Sequence, residues 1–226
     1  MTITIATATR QGTGENNADC TATFTSQTGL TATALIDVSG HPPNAPAIAM
    51  LLAETAARVG AQHGGRAGLL SAGLLVADPG AAEEPEPSGV GVVVTREPGE
   101  RAMISWIGDA HAYGWDGTRL HRYTTPHTLA EQMRTLGIPV GDVAHDWITT
   151  SLPEATPANV LSVTCHDPLI ILASDGTDCI PNEEFAAIVR EHADDPQALA
   201  DAITAAARED DKGYRDDTTT AVVLVR

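Results

Sequence analysis

Leu35-Ile36-Asp37-Val38-Ser39-Gly40-His41 decides the reading of this chain. An apolar, β-type run over residues 30–36 stops at a carboxylate, and a glycine-containing turn and a helix-like segment follow. A carboxylate at the end of a buried strand is costly unless a cation meets it. The pattern recurs. Leu169-Ile170-Ile171-Leu172-Ala173-Ser174 runs into Asp175-Gly176, Ile107-Gly108 into Asp109, and Arg215-Asp216-Asp217 opens the last apolar run, 221–225. Taken singly, each such aspartate is also a normal turn or capping residue. Together, Asp37, Asp109, Asp175 and Asp216 point to one oxygen-rich site for a hard divalent cation, assembled by the fold.

Working outward, residues 2–5 alternate as a half-buried strand, and 21–25 with 30–36 read as a hairpin turning at Gly29. Gly12-Thr13-Gly14 superficially resembles a dinucleotide-binding turn, but a third glycine and a following helix are missing. Ile48, Leu51, Leu52, Thr55 and Val59 share one face of a helix after Pro43-Asn44, and a second helix spans 66–76. Residues 77–88, rich in Pro, Glu, Gly and Ala, read as a flexible loop. Strands follow over 90–95, 101–107, 111–115 and 119–124, a short helix over 129–136, and strands over 159–163 and 169–173. Helices over 183–192 and 196–207 precede the final strand, and Trp106 and Cys179 read as core. Helices segregate from strands instead of alternating with them, which predicts antiparallel sheets covered by helices: two sheets back to back with helix layers outside.

Thirty acidic residues stand against 13 basic ones, a formal net charge of −17. Without a basic stripe to displace counterions, nucleic acid is not an expected partner. No apolar stretch reaches the ~20 residues of a membrane span, and residues 1–5 lack a signal-peptide layout. Three cysteines without metal spacing fit a reducing, cytoplasmic compartment.

The motifs also carry a resemblance. Asn17-Ala18-Asp19 is similar to an Asn-Glu-Asp motif and Asp37-Val38-Ser39-Gly40-His41 to Asp-Gly-x-Gly-Gly. Trp106-Ile107-Gly108-Asp109-Ala110-His111-Ala112-Tyr113 is similar to Gly-Asp-Ser-Arg-x-Tyr, and Tyr123-Thr124-Thr125-Pro126-His127-Thr128 loosely to Leu-Thr-x-Asp-His-Ser. Leu172-Ala173-Ser174-Asp175-Gly176 and Arg215-Asp216-Asp217-Thr218-Thr219 complete the set in order. The chain thus resembles the metal-dependent protein serine/threonine phosphatases of type 2C, as a divergent bacterial-type member.

That resemblance implies one phosphatase domain over 1–226, an α+β fold built as a four-layer α-β-β-α sandwich. It implies Mg²⁺ or Mn²⁺ as cofactor, two ions and a weaker third, activating water against phosphoserine or phosphothreonine. Asp37 would bridge the ions, Asp175 and Asp216 would bind the first, and the Val38 carbonyl the second. Asp19 would act through water, and Asp109 with Asp175 would hold the third. The expected partner is a phosphoprotein, with no membrane and no stable oligomer. His41, beside the site, is a candidate proton donor to the leaving alkoxide.

The sequence departs from the family pattern at its supporting residues. Ala18 replaces the Glu, Gly14 stands where the phosphate-binding Arg is expected, and Val38 replaces a Gly. Ala110-His111 replace Ser-Arg. Arg10 is the candidate substitute for the phosphate clamp. These departures keep an alternative open: a catalytically weakened pseudophosphatase acting as a regulatory binding module.

Overall fold

The computed structural model describes residues 2–39, 43–77, 88–141, 144–145 and 147–226. In chain order it forms β1 (Ile3–Arg10), β2 (Asp19–Thr25), β3 (Thr31–Val38), α1 (Ala45–His63), α2 (Gly65–Leu74), β4 (Gly89–Arg96) and β5 (Ala102–Ile107). There follow β6 (His111–Trp115), β7 (Leu120–Arg122), α3 (Leu129–Thr135), β8 (Leu161–Cys165) and β9 (Leu169–Ala173). The chain ends with α4 (Asn182–His192), α5 (Pro196–Ala206) and β10 (Thr218–Val225). The expected loop over 77–88 falls almost wholly outside the described residues, as do Gly40 and His41.

Two five-stranded antiparallel sheets result, ordered β1-β10-β9-β6-β7 and β2-β3-β4-β5-β8. Three apolar layers hold them. Leu35, Val92, Ile104, Ile170, Leu172 and Val223 fill the space between the sheets. Ile36, Val93 and Ile107 pack outward against α1 and α2, and Ile171, Val222 and Leu224 pack against α4 and α5. Central strands are therefore covered on both faces, which is why β4 and β10 are buried at every position and show no polar alternation. The strands over 90–124 run consecutively in sequence but divide between the sheets: β4 and β5 belong to one, β6 and β7 to the other.

The helix face expected inside is only partly the one buried: Leu52 is in the core and Ile48 packs against it, but the interior is mostly alanine. In α1 the interior residues are Ala45, Ala49, Leu52, Ala53, Ala56, Ala57, Gly60 and Ala61, while Leu51 is 53% exposed. The reason is close approach. A Cβ on Gly60 would lie 3.3 Å from Ala32 Cβ of β3, and one on Gly68 of α2 would meet the Ala56 carbonyl oxygen at 2.3 Å. Helices this near a sheet, and each other, favour small side chains at the points of closest approach. Cys179, expected in the core, is exposed.

Candidate functional site

Five aspartates arrive at one end of the sandwich from five places in the chain. Asp19 opens β2 and Asp37 nearly closes β3, and the two are direct cross-strand partners. Opposed residues of an antiparallel pair project to the same face, so these two carboxylates are neighbours of like charge. Asp109 sits in the turn by which the chain leaves β5 in one sheet and enters β6 in the other. Gly108 makes that turn at φ +85°, where any side chain would be strained, and an added Cβ would strike Val90. Asp175 follows β9, and Asp216 precedes β10, the strand hydrogen-bonded to β9.

One buried hydroxyl joins the two sheets here. Ser174 Oγ donates to Asp19 Oδ2 at 2.8 Å and accepts from the Thr219 N–H at 2.9 Å. Asp217, the neighbour of Asp216, accepts from the Gly12 N–H at 2.7 Å and the Ala18 N–H at 2.6 Å, fastening the glycine loop to the start of β10. The loop that resembled a nucleotide-binding turn thus points its amide at a carboxylate.

A cleft of ≈ 770 Å³ opens over this end, lined by Asp37, Val38, Asp109, Asp175 and Asp216. Its electrostatics are those of crowded, buried carboxylates. Burial, then the charges of Asp19, Asp175, Asp109 and Asp216, raises Asp37 well above the ordinary carboxylate range. Asp175 is raised in the same way, by burial and then by Asp109, Asp216 and Asp19. Burial pushes Asp19 up to about 7 against the opposing hydrogen bonds from Ser174 and Thr219. Asp109 is raised by burial, with His111 and Arg122 working the other way.

Two buried carboxylate oxygens, Asp19 Oδ1 and Asp109 Oδ1, have no hydrogen-bond partner among the described residues. Unpaired buried oxygens within a cluster of carboxylates suit a hard cation, whose ligands are such oxygens. Among the described residues, no three His, Cys, Asp or Glu side chains are already set to hold one ion. The donor set fits a divalent metal in its chemistry, an oxygen cluster of carboxylates.

One residue expected at the site is engaged elsewhere. Arg10 does not line the cleft: its Nη1 donates to the carbonyls of Ala205 and Ala207, at 3.3 and 2.9 Å, satisfying the end of α5. The helix terminus leaves acceptor carbonyls open, and the end of β1 lies beside it. His41 lies outside the described residues. Val38 lines the cleft without strain, since no non-glycine residue among those described has a positive φ.

Several cleft residues were not anticipated from the sequence. Arg122 Nη2 donates to His111 Nδ1 at 2.7 Å, and His111 Nε2 donates to Asp178 Oδ1 at 2.7 Å. Desolvation opposes ionisation of Asp178, but the His111 hydrogen bond and the Arg122 charge prevail and hold it below the usual range. Asp178 could have been found as the residue one helical turn after Asp175. Arg134, His145, Asp210 and Tyr214 also line the rim and carry no comparable sequence signal. His127 accepts the Gly108 N–H at its Nδ1, 3.2 Å away, and burial lowers its pKa, so this ring supports the Asp109 turn.

No protein-family model matches the sequence, and no curated protein matches it. Solved structures do. The serine/threonine phosphatase Stp1 from Staphylococcus aureus superposes with a TM-score of 0.82 at 15% identity, over 100% of this chain and 96% of that one. The serine/threonine phosphatase MsPP from Mycobacterium smegmatis, solved with cacodylate, gives 0.68 at 22% identity, over 99% and 98%. The catalytic domain of the serine/threonine phosphatase PstP, solved with two manganese ions, gives 0.70 at 19%, over 99% of each chain. The four-layer sandwich is the fold of these phosphatases.

Proposed function

We propose that this chain, which has the fold of bacterial serine/threonine phosphatases, hydrolyses phosphoserine or phosphothreonine in proteins with the help of Mg²⁺ or Mn²⁺. The observation that carries this reading is the convergence of Asp37, Asp109, Asp175 and Asp216 on the cleft, with Asp19 beside Asp37 and two buried carboxylate oxygens unpaired among the described residues. Asp37, Asp175 and Asp216, with the Val38 carbonyl, would hold two ions, and Asp19 and Asp109 would complete their surroundings. Bound there, the ions would neutralise phosphoryl oxygens and acidify a water for in-line attack on phosphorus. Ser174, reaching across the junction of the sheets, holds Asp19 beside Asp37, and Gly108 lets Asp109 reach the cleft. Water would add to phosphorus as the P–O bond to the serine or threonine oxygen breaks, and the leaving oxygen would take up a proton.

A second reading, a phosphatase-like binding module without efficient turnover, is favoured by Gly14, Ala18 and Arg10. The usual phosphate clamp is absent from the N-terminal loop, and Arg10 is committed to α5. One experiment separates the two. Hydrolysis of p-nitrophenyl phosphate and of a phosphothreonine peptide is measured with Mn²⁺, with Mg²⁺ and with chelator, beside folded Asp175→Asn protein. Metal-dependent turnover that the variant lacks establishes the enzyme. Turnover equal to the variant's, in folded protein, leaves the binding module.

A further inference from the structure

A phosphomonoester dianion entering a cleft floored by aspartates needs positive charge beyond what neutralises the aspartates themselves. Among the described residues lining the cleft, the permanent cations are Arg122 and Arg134. Arg134 is already paired, its Nη1 2.7 Å from Glu131 Oε2 on the same helix. Outside the cleft, Arg10 serves α5, and Arg215 donates to the Gln11 carbonyl and pairs with Glu209.

Arg122 differs from all of these. Its single hydrogen bond among the described residues goes to a ring nitrogen, His111 Nδ1, and no carboxylate among those residues is in contact with its guanidinium. His111 is 1% exposed and its other nitrogen is tied to Asp178, so the ring cannot swing and one corner of the guanidinium is fixed. The remaining N–H donors stay available in a cleft shared with Asp37, Asp109, Asp175 and Asp216. A fixed planar fork with free donors matches two phosphoryl oxygens at once.

We propose that Arg122, oriented by His111 and Asp178, grips the substrate's phosphoryl group in place of the arginine missing at Gly14. This inference rests on the phosphatase reading and assigns its phosphate contact to β7. Were Arg122 only a counter-charge for Asp178 and Asp109, its removal would lower stability and leave phosphate affinity alone.

The test is calorimetric titration of inorganic phosphate into the Mg²⁺-loaded protein, for wild type, Arg122→Ala, Arg122→Lys and Arg119→Ala, an exposed position on the same hairpin. Circular dichroism and a urea midpoint check that each variant is folded. Loss of a charge-assisted contact should weaken phosphate binding about 10- to 100-fold in Arg122→Ala. Arg122→Lys should fall between, Arg119→Ala should match wild type, and KM for p-nitrophenyl phosphate should rise with the phosphate constant while kcat falls less. Undiminished phosphate binding by folded Arg122→Ala overturns the proposal, and so does a wild type that takes up no phosphate. Wild-type turnover with unaltered phosphate binding in the variant leaves the phosphatase and removes Arg122 from its clamp. Phosphate held through Arg122 without any hydrolysis does the reverse.

Discussion

At the scale of single residues, the site depends on polar groups that have no slack. Ser174 is fully buried and its hydroxyl both donates to Asp19 and accepts from Thr219. Ser174→Ala leaves both partners unpaired in the interior, and should cost about 1–3 kcal/mol by urea unfolding. An unchanged midpoint would show that water replaces the hydroxyl there. Arg10→Met, by contrast, should lower stability slightly and leave metal-dependent turnover unchanged, because Arg10 meets only the α5 carbonyls; a collapse of kcat/KM would restore it to the site. The aspartates could be read from the sequence because each ends or begins an apolar strand, a local signal. Arg10 meets the α5 carbonyls instead of the cleft, because nearness in sequence to Gly14 says nothing of which way a strand-end side chain turns. Arg122 was missed for a related reason. It meets His111 only once β6 and β7 have paired, in the register that sets Tyr113 opposite Arg122.

At the scale of elements, strands were legible and one helix face was not. Nearly every strand was recovered, and β7 is shorter than its pattern, three residues, because the chain then leaves the ladder for Thr124 and Pro126. In α1 the large residues at helical spacing give a face rotated from the buried one, with Leu52 inside and Leu51 outside. Alanine carries little hydropathy contrast, so a face chosen for small volume is faint in the sequence. The packing makes a paired prediction. Leu51→Ala, at an exposed position, should change stability by less than about 0.5 kcal/mol. Gly68→Ala, whose methyl would press on the Ala56 carbonyl, should cost about 1–3 kcal/mol by forcing α1 and α2 apart. Equal effects in thermal or urea unfolding would mean that α1 presents Leu51 to the core after all.

At the scale of the whole molecule, the acidic end is a source of instability that pH and metal should control together. Asp19, Asp37, Asp109 and Asp175 all hold protons more tightly folded than unfolded, Asp19 up to about 7 from an ordinary 3.8. Between those values the native protein binds more protons than the unfolded chain, so stability falls as pH rises through that window and levels off above the folded pKa. His127, lowered by burial, has the opposite slope below its ordinary 6.5, but four carboxylates outweigh one imidazole. Chelator-treated protein should therefore melt at a higher temperature near about pH 5.5 than near about pH 8. Asp19→Asn should flatten that difference. Divalent metal competes with these protons for the same oxygens, so Mn²⁺ should raise the melting temperature more at the higher pH than at the lower. A metal-free melting temperature that climbs over this range, with no added stabilisation by Mn²⁺ at the alkaline end, would mean that the carboxylates find their counter-charge within the protein. The reading of the cleft as a metal centre would then be lost, while the sandwich that brings these strand ends together would stand.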